Sequence, residues 1–284
     1  MAEIKIIKTP GEMTLKSVQW KKQGLKVGLV PTMGFLHEGH LSLVDCARKK
    51  CDQVVMSIFV NPTQFGQGED FESYPRNFER DLSLASERGV DAVFLPSANE
   101  MYPKNYQTYV DLEALPDHLC GKSREGHFRG VATVVSKLFN IVQPDFAFFG
   151  EKDFQQLAVI KQMVQDLNFP VSVRGVPIVR EKDGLAMSSR NTYLLEEERK
   201  NALVLYQSIL KAEKMIKDGE KTSSKIIGAV KDIINQYEKA KIDYVNICNP
   251  KTLEDVEIIN EEVVLAMAVF IGKTRLIDNK VITP

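Results

Sequence analysis

The stretch Val27-Gly28-Leu29-Val30-Pro31-Thr32-Met33-Gly34-Phe35-Leu36-His37-Glu38-Gly39-His40 decides how the fold is read. Its first four residues are an apolar run, and Pro31 to His40 reads as a loop. A helix-like stretch follows, Leu41 to Lys50, and then a second apolar run, Val54 to Phe59. Strand, loop, helix and strand make the unit of a parallel sheet. The loop brings two imidazoles and two glycines to the mouth of a helix. Free backbone N–H groups and the helix dipole favour an anion there. A phosphate suits such a place, so nucleotide chemistry is the first expectation.

The same alternation runs outward from this unit. Val90 to Leu95 and Phe146 to Phe149 are further apolar runs. Arg76 to Arg88, Val131 to Val142 and Asp153 to Leu167 have helical periodicity, the first stopped by Gly89 and the second by Pro144. Apolar strands separated by helices predict a parallel sheet covered on both faces, continuing to about Val173–Val176. Two charged amphipathic helices, Glu196 to Lys217 and Thr222 to Lys239, then precede strand-like runs at Ile242 to Ile247 and Val263 to Phe270. That order predicts a smaller α+β domain, with residues 1–177 in the first domain and 178–284 in the second.

Composition narrows the function classes. Of 284 residues, 44% are hydrophobic and 26% charged, as in soluble globular chains. Lys and Arg number 37 against 38 Asp and Glu, a net charge of -1, which argues against broad binding to nucleic acid or anionic membrane. Cys46, Cys51, Cys120 and Cys248 show neither zinc-ligand spacing nor a disulfide framework. No signal-peptide pattern or membrane-spanning run is apparent, so a reducing cytoplasmic setting is expected.

Several loops hold residues suited to chemistry. His37 and His40 are loop histidines, metal ligands or donors to phosphate oxygens; no HExxH pattern accompanies them, and His118 and His127 are distant in sequence. Asn61 and Gln64 leave the second strand at its carboxyl end, where open α/β sheets place ligands, although amides also form turns. Gly150-Glu151-Lys152-Asp153 joins a strand to a helix; Lys152 can neutralise phosphate charge, and Asp153 either caps the helix or contacts ligand. Gln156 lies three residues further on. Met187-Ser188-Ser189-Arg190-Asn191 offers two hydroxyls and a cation to a triphosphate, or forms a polar turn and cap. This segment and the His37 loop support each other.

Taken in order, PTMGFLHEGH, FVNPTQF, YPR, GHFRGVATVV, FFGEKDFQQL and VREKDGLAMSSRN resemble the pantothenate synthetase, or pantoate–beta-alanine ligase, family over nearly the whole length. HEGH alone points only to the wider nucleotidyltransferase superfamily, which includes class I aminoacyl-tRNA synthetases. MSSRN resembles their KMSKS loop but lacks its second lysine, leaving Arg190 to supply that charge.

The resemblance implies a Rossmann-like parallel-sheet nucleotidyltransferase domain with a smaller α+β C-terminal domain acting as a lid. It implies an ATP-dependent, amide-forming ligase that condenses pantoate with beta-alanine through pantoyl adenylate, releasing AMP and diphosphate. Magnesium, a homodimer and a cytoplasmic location are implied with it. Carried onto this chain, ATP contacts are Met33, Gly34, Phe35, Leu36, His37, Glu38, Gly39 and His40, then Gly150, Glu151, Lys152, Asp153 and Val179, then Met187, Ser188, Ser189 and Arg190. His40 matches the catalytic proton donor, and His37, Lys152, Ser188 and Arg190 join it around the phosphates. Gln64 and Gln156 match pantoate contacts, Gln64 also the beta-alanine contact, and Asp81 a magnesium contact. Two other readings remain: another adenylyltransferase, which Gln64, Gln156 and the motif order disfavour, and a non-catalytic RNA-binding protein, which the near-neutral charge disfavours.

Overall fold

The computed structural model describes residues 4–284. The chain forms two compact units. The first runs to Glu113 and adds Arg124–Glu151 and Gln156–Pro177; the second takes Ala114–Ser123, Lys152–Gln155 and Ile178–Pro284.

In chain order the first unit opens with β1 (Lys5–Ile7), α1 (Pro10–Lys22), β2 (Val27–Thr32) and α2 (Glu38–Arg48). It continues with β3 (Gln53–Ile58), α3 (Phe78–Glu87), β4 (Ala92–Phe94) and the short α4 (Ala98–Met101). After α5 (Leu119–Ser123), which groups with the second unit, come α6 (His127–Val142), β5 (Phe146–Gly150), α7 (Phe154–Asp166) and β6 (Ser172–Val176). The six strands form one parallel sheet in the order β1-β4-β3-β2-β5-β6. This is the expected Rossmann-like architecture.

Period-two alternation explains why helices cover both faces. Val27 and Leu29 of β2, Val55 of β3 and Phe149 of β5 join the core under α1, α6 and α7. Val30, Met56 and Phe148 point the other way, into a core with Leu41 and Val44 of α2 and Ala85 of α3. Each fully buried Leu, Val, Phe or Met side chain contributes about 1.5–3 kcal/mol, so a one-residue slip in any inner strand would misplace several such terms. Two elements escape the sequence pattern. β1 has only three residues, and α1 shows little apolar periodicity; its start rests on Thr9, which accepts the Glu12 N–H, and on Pro10 in the first turn.

The second unit continues with α8 (Glu196–Asn201), α9 (Val204–Lys217) and α10 (Ser223–Ile234). It ends in an antiparallel sheet of β7 (Ala240–Cys248), β8 (Val263–Ile271) and β9 (Thr274–Ile282), in that order. The single helix expected over Glu196–Lys217 is two helices. Leu203 N–H bonds Lys200 O, and Leu205 N–H bonds Ala202 O, so the chain winds tighter by one residue at the junction. β9 is also new to the sequence reading, because Asp278 and Asn279 interrupt its apolar pattern and yet are buried.

Candidate active site

β2 is the point where the chain order reverses. Its neighbour on one side is β3, reached through α2, and on the other β5. Ligands in open α/β sheets bind beyond the carboxyl ends of the strands at such a switch point. Parallel strands share one carboxyl edge. The Met33–His40 loop after β2, the Asn61–Gln64 segment after β3 and Gly150 at the end of β5 therefore leave that edge side by side.

The first loop is more heavily bonded than its sequence suggests. Gly34 and Phe35 both have positive φ, 85° and 47°. A Cβ on Gly34 would come within 3.1 Å of Asp81 Oδ2 and the Ile58 methyl, so only glycine fits without a shift. Asp81 of α3 accepts the Phe35 and Leu36 N–H groups, each at 2.7 Å, and is almost fully buried. Arg80 donates to Leu36 O at 2.9 Å and lies over the Phe35 ring. Burial pushes the Asp81 carboxyl above its ordinary value, against the two backbone hydrogen bonds and Arg80, which pull it down.

His37 is the N-cap of α2. Its Nδ1 accepts Gly39 N–H at 3.1 Å, and His40 Nδ1 accepts His37 N–H at 3.3 Å, a reciprocal capping box made of two imidazoles. Their ring centroids are 4.0 Å apart. The N–H groups of Gly34, Phe35, Leu36, His37 and Gly39 thus all have acceptors within the protein. This corrects the expected cradle of free backbone donors. It also fixes both tautomers: an Nδ1 that accepts an amide hydrogen leaves the ring hydrogen on Nε2. The ring hydrogen of each histidine therefore sits on Nε2, while the loop amides expected to be free are bonded within the protein.

Beyond β3, Asn61 organises Gln64. Asn61 Nδ2 donates to Gly130 O at 3.1 Å and to Gln64 Oε1 at 3.2 Å, while its Oδ1 accepts the hydroxyls of Thr63 and Tyr102. With its oxygen so engaged, Gln64 turns its NH2 group to Met33 Sδ at 3.0 Å, which makes this amide a donor toward the Met33 side. Burial pushes the Tyr102 hydroxyl up to about 12, so it stays a donor to Asn61. Two residues missed in the sequence hold the same segment. His127 Nδ1 donates to Gln64 O at 2.7 Å; its Nε2 faces Arg124 Nη1 at 3.0 Å, and Arg124 grips Glu69 at 2.7 and 2.6 Å. The His127 tautomer is thereby the opposite of that of His37 and His40.

After β5, residues 151–153 form a single 3-10 turn into α7. Lys152 Nζ lies 3.3 Å from both Asp153 oxygens, and its carbonyl accepts Asn279 Nδ2 at 2.8 Å. Adjacent glutamines on α7 differ in kind. Gln155 is buried and fully used, donating to Leu115 O and His118 O and accepting from Cys120 N–H. Gln156 is half-buried.

The remaining predicted residues lie on a hairpin of the second unit. Met187 N–H bonds Val179 O at 3.0 Å, and Arg180 pairs with Ala186. Ser188 caps a 3-10 helix over Ser189–Tyr193 and accepts the Arg190 N–H. Arg180 anchors the hairpin, meeting buried Asp278 at 2.7 and 2.9 Å and stacking on Tyr206. Burial pushes the Asp278 carboxyl up, and Arg180 opposes that shift.

The sequence profile of the family described as pantoate-beta-alanine ligase matches residues 5–281. The chain belongs to the pantoate–beta-alanine ligase family. It is 55% identical over 281 residues to pantothenate synthetase of Desulfatibacillum aliphaticivorans, covering 99% of this chain and 100% of that one. It is 56% identical over 279 residues to that of Acetivibrio thermocellus, covering 98% and 99%. The crystal structure of pantothenate synthetase from Thermus thermophilus superposes with a TM-score of 0.92 at 44% identity, covering 99% and 100% of the two chains. A Francisella tularensis pantoate-beta-alanine ligase, complexed with beta-gamma ATP and beta-alanine, gives 0.80 at 33%, covering 98% and 97%. As a pantoate–beta-alanine ligase, this chain is an enzyme that forms pantothenate in an ATP-dependent reaction. No helix among the described residues is long and apolar enough to cross a membrane.

Arg80, Tyr102, Arg124, His127, Arg180 and Asp278 are the ligase residues that sequence reasoning left unassigned. Arg124 and His127 flank Gly126 at the head of a quoted motif, but an arginine and a histidine have no visible task until the fold sets them against Gln64.

Proposed function

We propose that the ligase works in two steps at the carboxyl edge of β3, β2 and β5. In the first, a pantoate carboxylate oxygen attacks the α-phosphorus of ATP. A P–O bond to pantoate forms, the bond to the β-phosphate oxygen breaks, and diphosphate leaves with that electron pair. In the second, the unprotonated amine of beta-alanine attacks the activated acyl carbon. The C–N bond forms, AMP leaves with the C–O electron pair, and the nitrogen gives its extra proton to solvent. The observation that supports this reading is the placement of the His37–His40 donors, the Gln64 amide and Gly150 on adjacent strands of one edge.

In this reading His37 and His40 donate from Nε2 to phosphate oxygens. Met33 to His40, Gly150 to Asp153, Val179 and Met187 to Arg190 contact ATP, with Lys152, Ser188 and Arg190 offsetting triphosphate charge. Gln64 and Gln156 bind pantoate, and Gln64 also meets the amine. Proton transfer from His40 is not required. Charging either imidazole puts a hydrogen on Nδ1, against the N–H it now accepts, and costs a helix cap; a neutral donor is cheaper. Positioning supplies much of the remaining rate.

Magnesium belongs to the same proposal. Among the described residues, no three His, Cys, Asp or Glu are grouped to hold a metal ion. Magnesium commonly uses one or two carboxylates with substrate phosphates, so we place it on the triphosphate, where it neutralises charge. The homodimer, the cytoplasmic location and a lid role for the C-terminal unit complete the proposal. The deciding experiment omits beta-alanine: ATP, magnesium and pantoate should give diphosphate and pantoyl adenylate, identified by rapid quench and mass spectrometry. Release of ADP, or no diphosphate until the amine is added, would refute the adenylate route.

A further inference from the structure

We infer that Asp81 is a positioning residue for the nucleotide loop, an internal anion that holds the Phe35–Leu36 peptides, and that it does not ligate magnesium. The inference rests on the reading above that residues 33–40 bind ATP.

Both Asp81 oxygens are committed, each to a different backbone N–H at 2.7 Å, the short length of a charge-assisted bond. The side chain is 2% exposed and lies beneath Gly34, with the Ile58 methyl on the same side. Each oxygen keeps a second lone pair, but with the residue buried beneath the loop a hydrated cation reaches it only by moving the Phe35–Leu36 peptides and breaking the two bonds that hold them, an expensive exchange. Arg80 closes the grip from the other side, through Leu36 O and the Phe35 ring, and its guanidinium lies 3.7 Å from Asp81. One charge pair on α3 therefore holds both the N–H and the C=O groups of the peptides leading into His37.

The loop needs such a grip. Two successive positive φ angles, one at the non-glycine Phe35, are unfavourable unless surrounding contacts stabilise them. The next residue caps α2, so any relaxation at Phe35 and Leu36 turns both imidazoles. The carboxylate also bears a cost of its own. Burial raises its proton affinity above that of an exposed aspartate, so its ionisation at neutral pH opposes folding. A buried charge kept in this way beside a binding loop marks function.

The test uses Asp81→Asn and Arg80→Ala in the full-length protein. Asparagine keeps one acceptor and turns an NH2 toward the other amide. Arg80 is 46% exposed at its side chain, so its removal leaves the fold intact. Amide hydrogen exchange, read without substrate, should speed up at least about tenfold at Phe35 and Leu36 in D81N, the loss of one hydrogen-bond's worth of protection. Adenylate formation should fall about 10- to 100-fold from a misplaced loop, with the magnesium concentration for half-maximal rate unchanged. R80A should raise the KM for ATP with a smaller loss of kcat. ATP affinity of the wild-type protein, measured by calorimetry, tests the nucleotide reading separately. A rise in the magnesium requirement, with the rate restored by excess magnesium, would overturn the inference, as would unchanged exchange at both amides. If D81N fails to fold, a wild-type ATP KM in R80A overturns it, and a raised KM supports it.

Discussion

Replacing Gly130 with alanine sets two physical effects against each other. Gly130 lies in the first turns of α6, where it meets the backbone of Thr63 and Gln64. A Cβ there would lie 2.2 Å from Thr63 O, 2.5 Å from Thr63 C and 2.7 Å from Gln64 Cα. Ordinary van der Waals contact begins near 3.4 Å, so backbone must yield by about 1 Å, and the atoms met are not the ends of flexible side chains. Alanine gains about 1 kcal/mol over glycine in a helix interior. Overpacking costs about 1–3 kcal/mol. The net stability change should thus lie between about zero and 2 kcal/mol, a Tm loss of a few degrees. Function has no such compensation. The clash moves Gln64 and strains the Asn61 Nδ2 bond to Gly130 O. A displacement of about 1 Å at a positioning group can cost about 100-fold in rate. Circular dichroism should therefore show a folded protein, calorimetry near-normal ATP binding, and steady-state kinetics about a 100-fold loss in kcat/KM for pantoate. A kcat/KM within threefold of wild type would refute this assignment of Gln64 and its supporting segment.

Other perturbations separate chemistry from architecture. Lys152→Ala and Arg190→Ala should each remove about 3 kcal/mol of transition-state stabilisation from adenylation, measured by rapid quench, with little change in Tm; a normal rate in both would remove them from the phosphate site. Gln156→Ala should raise the KM for pantoate at unchanged Tm, whereas Gln155→Ala should lower Tm through three lost hydrogen bonds; calorimetric melting and kinetics on the pair distinguish them, and the reverse pattern would sink both assignments. Arg180→Met should cost about 3–5 kcal/mol at neutral pH by stranding buried Asp278. The sign with pH follows from the raised Asp278 carboxyl: the fold favours its protonated form, so the penalty is full above the raised value and shrinks on acidification toward 3.8, the ordinary value for aspartate. A Tm deficit that grows on acidification would contradict it.

Much of the first unit was legible because its signals are local. Val27 to Val30 and Val54 to Phe59 show strands by run length, Leu41 to Lys50 a helix by periodicity, and repetition of that unit implies parallel pairing. Parallel pairing puts every strand's carboxyl end on one edge, so Asn61, Gln64 and Gly150 could be assigned to that edge before any coordinates. The motif order also carried the family. The second unit was read less completely, since β9 hides its strand pattern behind Asp278 and Asn279, whose partners are remote.

What only the tertiary structure decided is how each polar group is used. Asp81 meets Phe35 across 46 residues, His127 meets Gln64 across 63, and Arg180 meets Asp278 across 98. Such pairings leave no period in the chain. The order β1-β4-β3-β2-β5-β6 is of the same kind, since strand neighbours depend on which helices pack on which face. The sequence alone showed an anion-friendly helix mouth, but the fold occupies its amides with Asp81 and the two histidines and so puts each ring hydrogen on Nε2. A hydrogen-bond donor is a property of a residue; whether it is available depends on every acceptor that folding brings within about 3 Å.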